Sequence, residues 1–227
     1  MARHFTTALF TFLRELEANN DREWFNANKQ RYIEHVQEPA LEFIADFDKP
    51  LHEISPHFQA NARAQGGSLF RVHRDTRFSK DKTPYKTNTG MHFRHESAKD
   101  VHAPGFYLHL QPGECFAGVG MWRPEAKVAG QVRKAIGEDP EGWRQATGDE
   151  RFTEVWSLTG DSLRRPPKEF SPDHPLIEDL KRKDFIASTR LTQKQVTSEG
   201  FLEEYADMCR RAAPFTQFLC RAVRVPF

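Results

Sequence analysis

The chain has 227 residues, 29% of them charged, and its 33 Lys and Arg against 32 Asp and Glu leave a formal net charge of +1. The length supports one sizeable domain with a real core, and the charge balance argues against a globally basic nucleic-acid protein, an acidic tail protein or a charge-driven disordered chain. Leu, Ile, Val and Phe together number only 50, of which 19 are Phe, so an aromatic core is expected.

The opening MARHFTTALFTFLRELE has only a short apolar run before Arg14 and Glu15, too short for a signal peptide. Nowhere does an apolar stretch approach the roughly 18 residues a membrane span needs. Phe5, Leu9, Phe12, Leu13 and Leu16 recur at helical steps and predict a helix ending near Asn19-Asn20. Asn20-Asp21-Arg22-Glu23 reads as a capping box with Asn20 as N-cap. An apolar face then runs through Trp24, Tyr32, Ile33, Val36, Leu41, Ile44 and Phe47, with Pro39 kinking it or starting a new helix, so 1–56 is a helical part.

From residue 70 the period falls to two, at 70–73 and again at 91–94. Segments 105–110 and 115–122 flank Gln111-Pro112-Gly113-Glu114, where Pro presets φ and Gly accepts a positive φ, so a hairpin is expected. It is the centre of a mostly antiparallel sheet of four to five strands, with 66–122 as the part that holds the sheet and the cationic loop. Helices return near 124–136 and 140–146, followed by a Pro-rich connector over 165–175 and a short helix to Lys183. An edge strand at 185–191 and a last helix over 198–220, interrupted at Pro214, complete a helical part, 123–227. No repeat is present, so 1–227 reads as a single α+β domain, its sheet covered on one face by N- and C-terminal helices.

Charge is concentrated. Residues 66–95 hold seven basic and two acidic side chains, a net of +5, while 1–65 carry −3 and 96–227 carry −1. Arg71, Arg74, Arg77 and Lys80 recur every third residue, which in a three-fold extended or 3₁₀-like backbone places all four on one side. With Lys82 and Lys86 they suit phosphate or carboxylate, since each guanidinium offers a planar fork of donors. Asp75 and Asp81 are placed to clamp an Arg or Lys, Tyr85 offers a hydroxyl and Pro84 stiffens the loop. About 16 residues between strands is long for a connector. The bland alternative is a structural salt-bridge network or a solvated charged loop.

Counting outward from Pro112-Gly113 pairs Leu110 with Cys115, Leu108 with Ala117 and Phe106 with Val119 on an apolar face. The same alternation points Phe70, Val72, Met91 and Phe93 inward. The opposite face pairs His109 with Phe116, Tyr107 with Gly118 and Gly105 with Gly120, joined by Arg71, His73, His92 and Arg94. Its glycines leave room for a ligand or a backbone; an ordinary solvated sheet face is the alternative. His73, His92 and His109 are a feasible ligand set for a metal only if strand order gathers them, and with no carboxylate in a tight motif nearby no metal is assigned. His174 reads as a turn residue, with Lys168 and Lys183 flanking it as an extended cationic rim.

There is no GxxxxGK[ST] loop, GxSxG elbow, HExxH or CxxC pair, which disfavours P-loop hydrolysis, α/β-hydrolase chemistry and a standard zinc protease. Three scattered cysteines, Cys115, Cys209 and Cys220, form no disulfide framework, so a reducing, cytoplasmic compartment is expected.

Arg71-Val72-His73-Arg74-Asp75-Thr76-Arg77-Phe78 followed by Lys80-Asp81-Lys82-Thr83-Pro84-Tyr85-Lys86 resembles the signature of a widespread bacterial family, domain of unknown function 2461. Asn19-Asn20-Asp21-Arg22-Glu23-Trp24-Phe25, Pro104-Gly105-Phe106-Tyr107, Asp173-His174-Pro175 and Lys183 match it too, so the resemblance covers essentially the whole chain. It implies a single α+β domain and brings no reaction, cofactor or catalytic residue.

The leading expectation is an anion-recognition domain, with an enzyme acting on a small phosphorylated or carboxylated molecule as its extension. Arg71, Arg74, Arg77, Lys80, Lys82 and Lys86 bind the anion, Asp75 and Asp81 orient them, and Tyr85, Tyr107 or His109 are the candidates for proton transfer. No Ser or Cys is placed as a nucleophile and no cofactor is assigned. The runner-up is a nucleic-acid-binding module with Tyr85, Phe78 or Trp122 stacking on bases. The third reading is a structural or interaction protein in which the Arg/Asp signature is an internal brace.

Overall fold

In the computed structural model, which describes residues 4–97 and 104–227, the expected opening helix is α1 (Thr7–Ala18). Residues 1–3 and 98–103, parts of the expected helical and sheet regions, lie outside the described residues. Helix α2 (Arg22–Ala27) is capped by Asp21, whose side chain accepts from the Trp24 N–H at 2.9 Å. The cap therefore falls one residue later than the sequence suggested. Asn20 is used elsewhere: its side-chain amide and the Tyr85 backbone exchange two hydrogen bonds of 3.0 Å. A short α3 (Lys29–Tyr32) and a π-helical turn, Ile33–Gln37, lead into α4 (Glu38–Ile54). Pro39 lies in the first turn of α4, directly after the π-helical turn, so it neither opens a separate helix nor stops the chain's helical course.

The sheet has six strands, all pairs antiparallel, in the order β1 (Phe58–Gln59), β2 (Thr89–His95), β3 (Gly105–Leu110), β4 (Cys115–Met121), β6 (Phe185–Leu191), β5 (Ser157–Thr159). The extra strands are two and three residues long, too short for alternation to be visible beforehand. Strand β5 covers the free side of β6, so the segment expected at the edge is interior. The β3–β4 register is the one counted from the turn, with Tyr107 opposite Gly118 and Phe106 opposite Val119. At the turn Gly113 has φ +80 and the Glu114 N–H donates to the Gln111 carbonyl at 3.1 Å.

Residues 70–73 do not form a strand. Segment 68–70 runs along β2 through His92 N–H to Ser68 O (2.8 Å) and Phe70 N–H to Gly90 O (2.9 Å). The chain then doubles back, with Arg74 N–H on Pro84 O and Lys86 N–H on Val72 O, both 2.8 Å. After β4 come α5 (Ala126–Glu138), α6 (Pro140–Gly148), α7 (Glu150–Thr153), α8 (Ile177–Leu180) and α9 (Gln193–Val196). The expected last helix is two, α10 (Phe201–Arg211) and α11 (Ala213–Ala222), broken at Ala212 with Pro214 in the first turn of the second.

One sheet face carries the core. Met91, Phe93, Phe106, Leu108 and Ala117 are fully buried against Phe43 and Phe47 of α4, Tyr205 of α10 and Phe215 of α11. The Phe47 ring lies 4.7 Å from Phe93 and 5.0 Å from Tyr205. Each such ring contributes about 2 kcal/mol of transfer free energy, so helices from both ends of the chain are held to one side of the sheet. The other side is left for the site. No helix among the described residues is long and apolar enough to cross a membrane.

Candidate functional site

Three cross-strand rows make the open face: Arg94, Gly105, Gly120 and Ile186; His92, Tyr107, Gly118 and Ser188; Gly90, His109, Phe116 and Arg190. Rings tile part of it. A β-carbon at Gly105 would lie 2.6 Å from His92 Nε2, and one at Gly90 would lie 2.6 Å from the Tyr107 hydroxyl, so these two glycines are already covered by neighbouring side chains. Gly118 on β4 is not. A β-carbon at Gly118 meets nothing closer than Tyr107 Cβ at 3.8 Å, while Gly120, at φ +112, runs tight against the Phe185 carbonyl. Above them lies a pocket of about 430 Å³ walled by Phe70, Tyr107, Phe116, Trp122 and Ile186, with His92 and Ser188 as polar groups.

Buried side chains around it are held uncharged. Burial pushes Tyr107 up to about 12 and His92 down to about 4, the latter with help from Arg94. The Tyr107 hydroxyl bonds His109 Nδ1 at 2.9 Å, and His109 Nε2 bonds Gln111 Oε1 at 3.2 Å. An amide oxygen only accepts, so Nε2 carries the proton and Nδ1 accepts from the hydroxyl. The His109 ring stacks on Phe116 with centres 4.7 Å apart.

Cations sit on two of the ring walls. The Lys86 ammonium lies 5.3 Å from the centre of Phe70, and the Arg123 guanidinium lies 4.8 Å from Trp122. Lys86 is half-buried, and its pKa is lowered by burial and then by Arg71. Arg123 takes a left-handed φ of 47, a strain of about 1 kcal/mol or more for a side-chain-bearing residue. Asp184, 3% exposed, holds it there by accepting from the Arg123 N–H at 2.7 Å while its second oxygen accepts from Asp161 N–H at 2.8 Å.

The predicted residues separate into groups. In the 71–86 loop Arg74 reaches Asp81 and Thr83, and Arg77 is gripped by both oxygens of Asp75 at 2.9 and 2.6 Å. These bonds, led by the Arg77 and Arg74 donors respectively, hold Asp75 and Asp81 at about 2. Lys82 donates to Thr76 O at 2.9 Å. The three-residue spacing is thus not expressed as a helical period, because the segment folds back on itself. Arg71, Lys80 and Lys86 form no ion pair among the described residues. Tyr107 and His109 meet on the open face as expected, whereas the Tyr85 ring is 4% exposed and stacked 4.0 Å from Phe25. Among the described residues no group of three His, Cys, Asp or Glu has the spacing to hold a metal ion. His73 packs against Tyr85 and Phe25, and His174 Nδ1 accepts from the Leu176 N–H at 3.1 Å.

Phe70 and Arg123 were missed. Alternation pointed Phe70 inward, but its segment is not a strand and the ring joins the open face beside His92 and Tyr107. Nothing in the sequence marks the positive φ that turns Arg123 over Trp122. The spacing Phe116-x-Gly118-x-Gly120-x-Trp122 was the available signal for the pocket floor.

A family model described as Conserved hypothetical protein (DUF2461) matches residues 8–218. The chain belongs to this family. No curated protein and no solved structure matches it. Family membership covers both the open-face pocket and the cationic hairpin, and its description assigns neither a ligand.

Proposed function

We propose that this chain is a recognition domain for a small organic anion bound on the open face of its sheet. The observation that carries this is that two of the rings lining one pocket, Phe70 and Trp122, each carry a cation, Lys86 and Arg123, which stands at the rim outside the lining itself. Neither cation forms an ion pair among the described residues. A mostly apolar pocket with a few polar groups suits a small molecule, and a half-buried ammonium gains from receiving an anion. Arg71, which acts electrostatically on Lys86, adds a second positive group from the predicted loop. Tyr107 and His109 are the groups placed to move a proton if the ligand reacts. The buried free thiols Cys115, Cys209 and Cys220 agree with a reducing compartment such as the cytoplasm.

The brace reading is favoured for one part of the signature. Arg74 with Asp81 and Thr83, and Arg77 with Asp75, satisfy one another within the hairpin, so these two arginines serve the loop and the anion falls to Lys86, Arg71 and Arg123.

Thermal shift with a panel of inorganic phosphate, nucleotides, and aromatic and aliphatic carboxylates tests this. One class raises the melting temperature in proportion to the logarithm of its concentration. Lys86→Met and Arg123→Gln each weaken it by about tenfold, and Arg77→Gln leaves it unchanged. No shift with any member, or one indifferent to both wall cations, contradicts the proposal.

A further inference from the structure

The pocket has a shape as well as a charge, and it lies along one strand. Phe116, Gly118, Gly120 and Trp122 alternate along β4 and just past its end, giving ring, gap, gap, ring. Elsewhere on this face His92 and Tyr107 cover the glycines beside them, so the bare strip is confined to β4. Its flanks are Tyr107 on β3 and Ser188 and Ile186 on β6, and strands lie about 4.8 Å apart, so the gap is narrow and flat-floored. Aromatic walls favour a partner ring in offset or edge-on contact over a saturated chain.

Resting on the anion reading above, we propose that the occupant is of the nucleotide class: a planar nitrogen heterocycle laid on the Gly118–Gly120 strip, its phosphate met by the Arg123 or Lys86 cation. The polar groups of the pocket fit such a ring. His92 is 7% exposed, and its side chain makes no hydrogen bond among the described residues, with Nδ1 buried and unpartnered. Burial of Nδ1 without an acceptor favours the proton on Nε2, which offers the ring one neutral donor. Among the described residues the other polar wall groups are already partnered, Ser188 by the Thr159 hydroxyl at 3.2 Å and Tyr107 by His109 at 2.9 Å, so base edges are read sparsely and the site discriminates weakly between bases. A larger groove of about 660 Å³ beside α5 lacks this chemistry, because its Arg133 is occupied by the carbonyls of Leu180 and Arg182 at 2.8 and 2.6 Å.

The same base-plus-phosphate unit comes either as a free nucleotide or within a single strand, and one titration separates them. Quenching of tryptophan emission, checked by calorimetry, is followed with AMP, UMP, ribose 5-phosphate, inorganic phosphate, benzoate and a decathymidylate. Both mononucleotides bind more tightly than ribose 5-phosphate by about tenfold or more, as expected for a stacked base, and differ from each other by less than about fivefold. Tighter binding of the decamer than of the monomer identifies a strand as the source; equal or weaker binding identifies the free nucleotide; both support the assignment. A β-carbon at Gly118 meets only ordinary contacts, so Gly118→Leu projects into the floor and abolishes nucleotide binding at unchanged melting temperature, and Trp122→Ala weakens it should the first variant fold poorly. Equal affinity for ribose 5-phosphate, preference for benzoate, or indifference to both variants overturns the nucleotide assignment and leaves the anion reading standing. Failure of every anion to bind overturns both.

Discussion

His92 pairs with Tyr107 across β2 and β3 and leans over Gly105, and that placement gives it a measurable signature. Burial first, and Arg94 second, lower its pKa from the ordinary 6.5 to about 4. Below pH 6.5 the unfolded chain takes up a proton that the folded chain refuses until about pH 4. Stability is therefore full above the unfolded value, falls as pH drops from about 6.5 to about 4, and levels off below, with a total of ~3 kcal/mol for this one group. His109, lowered by burial as well, acts in the same direction. Urea denaturation of wild type and His92→Gln at several pH values checks this: the variant has a flatter slope between pH 6.5 and 4, and identical slopes contradict it. At this scale the sequence was readable where a residue obeyed its strand. Tyr107 and His109 were placed on the open face by counting from a turn, while Phe70 was misplaced because alternation was applied to backbone that is not a strand. Arg123 depends on a buried carboxylate 61 residues away, a contact no local pattern carries.

The 72–86 hairpin is the element whose meaning changed most between sequence and structure. Its basic residues and two aspartates predict a converging cluster, yet Arg74 and Arg77 are satisfied within it, and Asn20 fastens its Tyr85 arm to the helical layer. Arg74→Ala removes the donor shared by Asp81 and Thr83. Because that pairing is local and half-exposed, the global melting temperature stays within error while limited proteolysis cuts the 75–83 tip faster than in wild type. A large drop in global stability at unchanged tip cleavage contradicts this. Phe78 at the tip is 96% exposed, with the Arg77 guanidinium 5.9 Å from its ring. Long periodic elements were visible in the sequence because apolar spacing marks them, and the Pro112-Gly113 turn fixed the register. Strands β1 and β5 were not, since two or three residues show no period and form only by hydrogen bonding to β2 and β6.

For the molecule as a whole, the layering decides where function can reside. Among the described residues, helices from both ends of the chain bury one face of a six-stranded sheet with large aromatic side chains, and the other face keeps glycine, ring and cation in place of a second helical layer. Composition foretold the aromatic core and the local basic window. It did not foretell that the pocket lies on the face of β4 with cations drawn from two distant segments, the loop before β2 and the turn after β4, because that juxtaposition is tertiary. Backbone amide mapping by nuclear magnetic resonance during titration with AMP tests the central claim most directly. Shifts that saturate and cluster on Gly118, Gly120, Trp122, Arg123, Ser188 and Lys86 are the predicted result; shifts confined to the 75–83 tip, or none up to millimolar ligand, contradict it.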